Sequence, residues 1–232
     1  MDIVSSNHTE PCIRPPPVNK KEGLTGINES VLQKSFITLI VGKPGSGKSH
    51  LLFEFLDNPS LFNKKFDRVY FLSPSVIDGL KMDESNWIKY FSPKWMMSKA
   101  TENSDLFKNI KRPCNILFVI DDMISAIKQN ENDPILTDMF FNRRKIVPNC
   151  VISYFIVTQK YMVCPSKIRM NITSVFFFKG NGTDIKKITE ENCEDLSRFH
   201  KTIIKNHLLK DKSFVYVRCD NGKLYLNFKE LI

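Results

Sequence analysis

Between Gly42 and Ser49 the chain reads GKPGSGKS, which fits the G-x-x-x-x-G-K-[ST] pattern of a phosphate-binding loop. Glycines in such a loop let backbone N–H groups curl round phosphate oxygens, and the helix that opens there adds positive potential from its amino end. Lys48 is then placed for the β- and γ-phosphates, and Ser49 offers a hydroxyl to Mg²⁺. The expected nucleotide-binding set is Gly42, Lys43, Pro44, Gly45, Ser46, Gly47, Lys48, Ser49 and His50. This chemistry calls for a nucleoside triphosphate, ATP first, with Mg²⁺.

Two carboxylates, Asp121 and Asp122, close the apolar run Ile116 to Ile120, and Gln159 closes the run Cys150 to Thr158. Ligands of open α/β sheets bind beyond the carboxyl ends of the strands, so these groups are expected to face the phosphates. There Asp121 and Ser49 hold Mg²⁺, and Asp122 polarises the attacking water. Gln159 can orient that water, because a neutral amide does not compete for the metal. Arg143 and Arg144, just upstream, are candidates for a cation lent to a neighbouring subunit's nucleotide, where charge develops on the transferred phosphoryl group. The plainer alternatives are a solvated basic helix end for the arginines and a helix-capping pair for the aspartates.

These groups need strands to carry them. Phe36 to Val41, Arg68 to Leu72 (closed by Ser73-Pro74), Asn115 to Asp122, Cys150 to Thr158 and Ser174 to Lys179 read as five buried strands. Helical material separates them. Leu51, Leu52, Phe55 and Leu56 repeat at helical spacing until Asn58-Pro59, and Asp133-Pro134 opens a helix whose apolar face is Ile135, Leu136, Met139 and Phe140. Trp87, Ile88, Phe91, Trp95 and Met96 suggest short helices, Pro165 to Asn171 a short helix or loop, and Asp184 to Leu208 further helix. Phe214 to Cys219 and Lys223 to Phe228, joined by Asp220-Asn221-Gly222, signal an antiparallel hairpin. The fold class expected is therefore α/β, a mainly parallel sheet covered on both faces, with the C-terminal antiparallel hairpin extending one edge.

The chain has 232 residues, enough for one α/β domain over 31–232 preceded by an arm, residues 1–30, that carries Pro15-Pro16-Pro17 and little periodicity. No apolar run approaches the ~20 residues that cross a bilayer, so no membrane insertion is expected, and the amino terminus does not read as a secretory signal. The six cysteines form no C-x-x-C pair and are expected to be free thiols in a reducing compartment. A net charge of +9 suits a polyanionic partner.

GKPGSGKS, FVIDD, NRRK before the strand ending in TQKY, and then PSKIRMN together resemble the genome-packaging ATPases of large DNA viruses and virophages, including the poxvirus packaging ATPase, within the FtsK/HerA lineage of P-loop motors. The resemblance runs from about Ser35 to Lys179. It implies a P-loop NTPase three-layer sandwich with strand order 5-1-4-3-2. By position, Lys48 and Ser49 match the Walker A pair, Asp121 the Walker B carboxylate, and Asp122 the catalytic carboxylate that is often Glu. Gln159 matches the family's strand-end Gln and Arg144 the arginine of an Arg-His pair, although Lys145 stands where His is expected and leaves Arg143 in contention. Arg169 and Asn171 fall in a Pro-x-x-Ile-Arg-x-Asn segment. The resemblance further implies a homo-oligomeric ring, hexamer or pentamer, that threads double-stranded DNA into a capsid, with capsid or portal-vertex proteins as partners in the host-cell cytoplasm. Three rivals share some of these motifs: a helicase or replication translocase of the same lineage, a viral P-loop nucleoside or nucleotide kinase, and a nucleotide-binding scaffold protein.

Overall fold

Near-continuous runs of large apolar residues, which bury both faces of a strand, set the sheet. The computed structural model describes residues 35–57, 65–76, 83–180, 182–193, 196–227 and 229–230. The arm over 1–30, Cys12 and Asn58-Pro59 lie outside these. Nine strands form one sheet: β1 (Ile37–Val41), β2 (Arg68–Leu72), β3 (Trp87–Ile88), β4 (Cys114–Asp121), β5 (Cys150–Thr158), β6 (Ser174–Phe178), β7 (Phe214–Arg218), β8 (Leu224–Leu226) and β9 (Lys229–Glu230). Their spatial order is β3-β2-β4-β5-β1-β6-β7-β8-β9. The first six in that order pair in parallel, and β7, β8 and β9 are antiparallel.

Counted without the two-residue β3, the five strands expected from the sequence lie as β6-β1-β5-β4-β2, which is the order 5-1-4-3-2. The C-terminal hairpin is also in place, with Val215 opposite Leu226 and Gly222 at φ 68° in the turn. One expectation needs correction. Trp87 and Ile88 form edge strand β3 beside Phe71 and Leu72 rather than a helix, while Trp95 and Met96 belong to a single long helix.

Seven helices flank the sheet among the described residues: α1 (Lys48–Asp57), α2 (Pro93–Phe107), α3 (Ile124–Gln129), α4 (Pro134–Phe141), α5 (Ser166–Arg169), α6 (Gly182–Asn192) and α7 (Arg198–His207). Side-chain alternation sorts them into layers. Phe36, Ile40, Phe155, Phe176 and Phe178 pack under Leu51, Leu52 and Phe55 of α1. Ile37, Leu39, Val41, Ile152, Tyr154 and Ile156 face the other layer, built from α2 to α7. A three-layer sandwich results.

Helix α1 is seated by aromatic contacts, since the Phe55 ring stacks on Phe155 at 5.4 Å and meets Phe176 edge-on at 5.1 Å. Fully burying such a side chain is worth about 1.5–3 kcal/mol, so the helix that begins at the phosphate loop is fixed against β5 and β6. Its amino end therefore cannot drift from the strand ends. Helix α4 starts as its sequence dictates: the Asp133 carboxylate accepts the N–H groups of Ile135 at 2.7 Å and Leu136 at 3.2 Å, with Pro134 in the first turn.

Candidate active site

The loop after β1 is strung between the two flanking strands. Gly42 N–H donates to Thr158 O at 3.1 Å and Lys43 N–H to Lys179 O at 3.4 Å, so the carboxyl ends of β5 and β6 hold it from either side. Ser46 N–H closes a turn on Lys43 O at 3.2 Å. Gly45 and Gly47 take φ values of 73° and 104°, a left-handed region that glycine enters without steric cost. At Gly42 the constraint is space, because a Cβ there would lie 2.6 Å from Ser46 Oγ and 2.7 Å from Phe178 Cβ.

Leu51 N–H returns to Gly47 O at 2.9 Å, and among the described residues the amides of Lys48, Ser49 and His50 reach no backbone carbonyl. They form the open amino end of α1, where an anion is favoured. Lys48 Nζ donates to Lys43 O at 2.9 Å and so lies folded over the loop. Burial lowers its pKa, and the fields of Asp121 and Asp122 act in the opposite direction.

Strand β4 delivers the carboxylates. Asp121, its last residue, is paired with Val157, and Asp122 N–H donates to Val157 O at 3.1 Å. A φ of 55° at Asp122, a left-handed value that Asp tolerates better than most side chains, then turns the chain out of the sheet. Gln159, one residue past β5, approaches with Nε2 3.5 Å from Asp122 Oδ1, the outer limit of a hydrogen bond. Lys48, Asp121, Asp122 and Gln159 thus meet at one edge. Ser49 and Asp121 offer the hard oxygen donors that suit Mg²⁺.

The Asp121 carboxyl is pushed up from 3.8 to about 6, first by burial and then by Asp122, with Lys48 pulling the other way. Because folding raises this pKa, the native state holds the proton more tightly than the unfolded chain. Stability present below about pH 4 is lost as the pH climbs to 6, and at ~1.4 kcal/mol per unit the loss is about 3 kcal/mol. Asp121→Asn should therefore raise the unfolding free energy by about 2–3 kcal/mol at pH 8 in metal-free buffer and by almost nothing at pH 4. Urea titrations at the two pH values measure this, and equal effects at both would show that the buried charge is not the cause.

The two arginines part company. Arg143 is 8% exposed, its Nη1 donates to Phe140 O at 2.9 Å, and its carbonyl accepts Ile152 N–H at 3.3 Å. It braces α4 against β5. Arg144 is exposed. Arg169 is likewise engaged: it pairs with Glu191 at 3.1 Å, donates to Cys164 O at 2.7 Å and lies 5.4 Å from the Tyr161 ring centre. Asn171 Nδ2 donates to Lys167 O at 3.0 Å. Both serve the local fold far along the chain from the phosphate loop.

Sequence reasoning did not anticipate that residues 209–213, the turn before β7, come to this edge. The signal was present, since a strand returning antiparallel beside β6 must start where β6 ends, and Phe214 does lie opposite Phe178.

No protein-family model matches the chain, and no curated protein matches it. Solved structures do. The DNA-packaging ATPase B204 of Sulfolobus turreted icosahedral virus superposes with a TM-score of 0.58 at 14% identity, over 85% of this chain and 98% of that one. The genome-packaging NTPase B204 of Sulfolobus turreted icosahedral virus 2, in complex with ATPγS, gives 0.59 at 13% identity over 86% and 100%. The pCW3 conjugation coupling protein TcpA, with ATPγS, gives 0.50 at 14% identity over 85% of this chain and 60% of that one. The chain shares the fold of these packaging ATPases.

Proposed function

We propose that the protein is an Mg²⁺-dependent ATPase that couples hydrolysis to translocation of double-stranded DNA and packages a viral genome into a preformed capsid. The observation that carries this reading is the convergence of Lys48, Asp121, Asp122 and Gln159 on the phosphate loop, with Gln159 3.5 Å from Asp122, in a fold shared with packaging NTPases. The loop amides and Lys48 bind the triphosphate, and Ser49 and Asp121 would hold Mg²⁺, which neutralises charge on the β/γ-oxygens when bound. Asp122 accepts the proton of the attacking water, and Gln159 orients that water through its amide.

Arg144 supplies the remaining cation, and it does so to a neighbour. Arg143 O binds Ile152 N–H near the amino end of β5, which places Arg144 about 20 Å along the strand from Gln159 at ~3.3 Å per residue. It cannot reach its own nucleotide, so each site is completed by the next subunit of a hexameric or pentameric ring. The partners are duplex DNA and the capsid or portal vertex, and the place of action is the viral assembly site in the host-cell cytoplasm. Lys186, Lys187, Lys201, Lys205, Lys210 and Lys212 make the C-terminal third basic, as either a face that tracks DNA phosphates or a solvated face would be. Among the described residues no helix is long and apolar enough to cross a membrane.

A helicase or replication translocase of the same lineage shares this site, whereas a nucleoside kinase would not place a carboxylate and a glutamine together to activate water. Phosphate release, assayed with and without duplex DNA and with nucleosides as acceptors, separates these readings. Hydrolysis stimulated by duplex DNA, in a particle whose size grows to a ring with ATP analogue and DNA, is the expected result. Phosphoryl transfer to a nucleoside without DNA stimulation would overturn the reading.

A further inference from the structure

The phosphate loop has a neighbour on the side away from the carboxylates. Strand β7 runs antiparallel to β6, with Phe214 opposite Phe178, so the turn over residues 209–213 sits at the same edge of the sheet as Gly42 to Ser49 but beyond β6. A cleft of about 260 Å³ opens between the two, walled by Lys43 to Ser46, by Lys179 and by Leu209 to Ser213. That volume lies just below the ~300 Å³ at which small-molecule sites begin, and it suits one nucleoside rather than a polymer.

The turn is a built wall. Ser213 Oγ donates to His207 O at 2.6 Å or Lys210 O at 2.9 Å, and His207 Nε2 lies 3.1 Å from both Phe214 O and Asn227 Oδ1. Asn227 Oδ1 also accepts Phe214 N–H at 3.0 Å. These bonds tie the turn to the hairpin behind it. On the cleft side Leu209 keeps 63% of its surface exposed, an apolar group among lysines and Asp211.

Direction decides what the cleft is for. The γ-phosphate end is set by Lys48 at the start of α1 and by Asp121, Asp122 and Gln159 at the ends of β4 and β5. A triphosphate lying along the loop with that end toward β4 and β5 must send its ribose and base out on the opposite side, toward β6 and β7. We propose that this cleft takes the nucleoside end of the triphosphate, with Leu209 against the face of the base and Asp211 accepting the ribose hydroxyls. This rests on the reading of Gly42 to Ser49 as the triphosphate site. The lysines of the rim keep the anionic tail in place, while Leu209 and Asp211 add contacts that an inorganic phosphate chain does not use.

The full chain, titrated calorimetrically with ATP and with inorganic tripolyphosphate, tests this. The variants are Leu209→Ser, which changes no charge, and Asp211→Ala, both at exposed positions. Each should weaken ATP about tenfold and leave tripolyphosphate unchanged or slightly tighter. For Asp211→Ala the sign is diagnostic, because by Coulomb's law alone the loss of a carboxylate beside phosphates would strengthen ATP binding. In parallel, 8-azido-ATP should photolabel the segment 206–213. Unaltered ATP affinity in both variants overturns the proposal while the phosphate site stands, and so does an equal loss for ATP and tripolyphosphate. Weaker duplex DNA binding with ATP affinity intact would instead assign the cleft to DNA. Should the unmodified chain bind neither ATP nor tripolyphosphate, the triphosphate site itself falls, and the cleft's assignment with it.

Discussion

Lys48→Ala should abolish ATP turnover, lowering it at least ~100-fold, the scale seen when one preorganised donor to developing charge is removed. The Lys48 ammonium is half-buried at the first residue of α1, its Nζ donates to the Lys43 carbonyl at 2.9 Å, and it lies in the field of both aspartates. Folding does not depend on it, because α1 is held through Leu51, Leu52 and Phe55 on the apolar face. The same substitution withdraws the one influence that opposes the rise of the Asp121 pKa, so the residual activity should also need a higher pH than the unmodified protein. Phosphate-release assays across pH 5 to 9, with circular dichroism as the control for folding, measure both effects. Turnover within a few-fold of the unmodified protein would remove the loop from the chemistry.

Arg144→Ala should lower turnover by about 10³-fold or more while ATP affinity stays within a few-fold, since an arginine finger acts on the transition state. Its exposure and its place near the amino end of β5 put it out of reach of the chain's own phosphates. Complementation follows from that geometry. Mixed rings of Arg144→Ala and Lys48→Ala subunits should recover measurable hydrolysis, because a Lys48→Ala subunit still lends its arginine to an intact loop next door. Normal turnover by Arg144→Ala, or no recovery on mixing, would reject the shared site. Arg143→Ala provides a contrast: it removes a buried group bonded to Phe140 O and should lower the melting temperature.

The parts of the fold that were legible in the sequence are those where burial is complete on both faces. Strands β1, β4, β5 and β6, and β2 from Tyr70 on, read as largely apolar runs because each is flanked by other strands and sandwiched by helices, so few positions along them are polar. Edge elements escape that rule. Trp87 and Ile88 pair with one neighbour over two residues, too short for any period to register, and β9 is as brief. At the site the residue types were legible because phosphate chemistry dictates them, whereas their exposure was not. Arg143 and Arg144 are chemically identical neighbours, and only the packing of α4 on β5 sends one inward. The turn over 209–213 lacks any motif and owes its position to the Phe178 and Phe214 pairing and to the hydrogen bonds of Ser213, His207 and Asn227.

Strand β5 reaches from one of these arginines to the other end of the machine. Of its nine residues, Cys150 to Val157 pair with β4 and Tyr154 to Thr158 also with β1, so its carboxyl half is held from both sides and is stiff. One tip leads to Gln159 beside Asp122, and near the other Ile152 N–H binds the Arg143 carbonyl, one residue from Arg144. In the proposed motor, a displacement at the first tip on phosphate release would be passed to the second without a hinge to absorb it. If the chain works as the proposed ring, firing order round it would be kept by the rigidity of a single extended segment, with each subunit's spent fuel timing the next ignition.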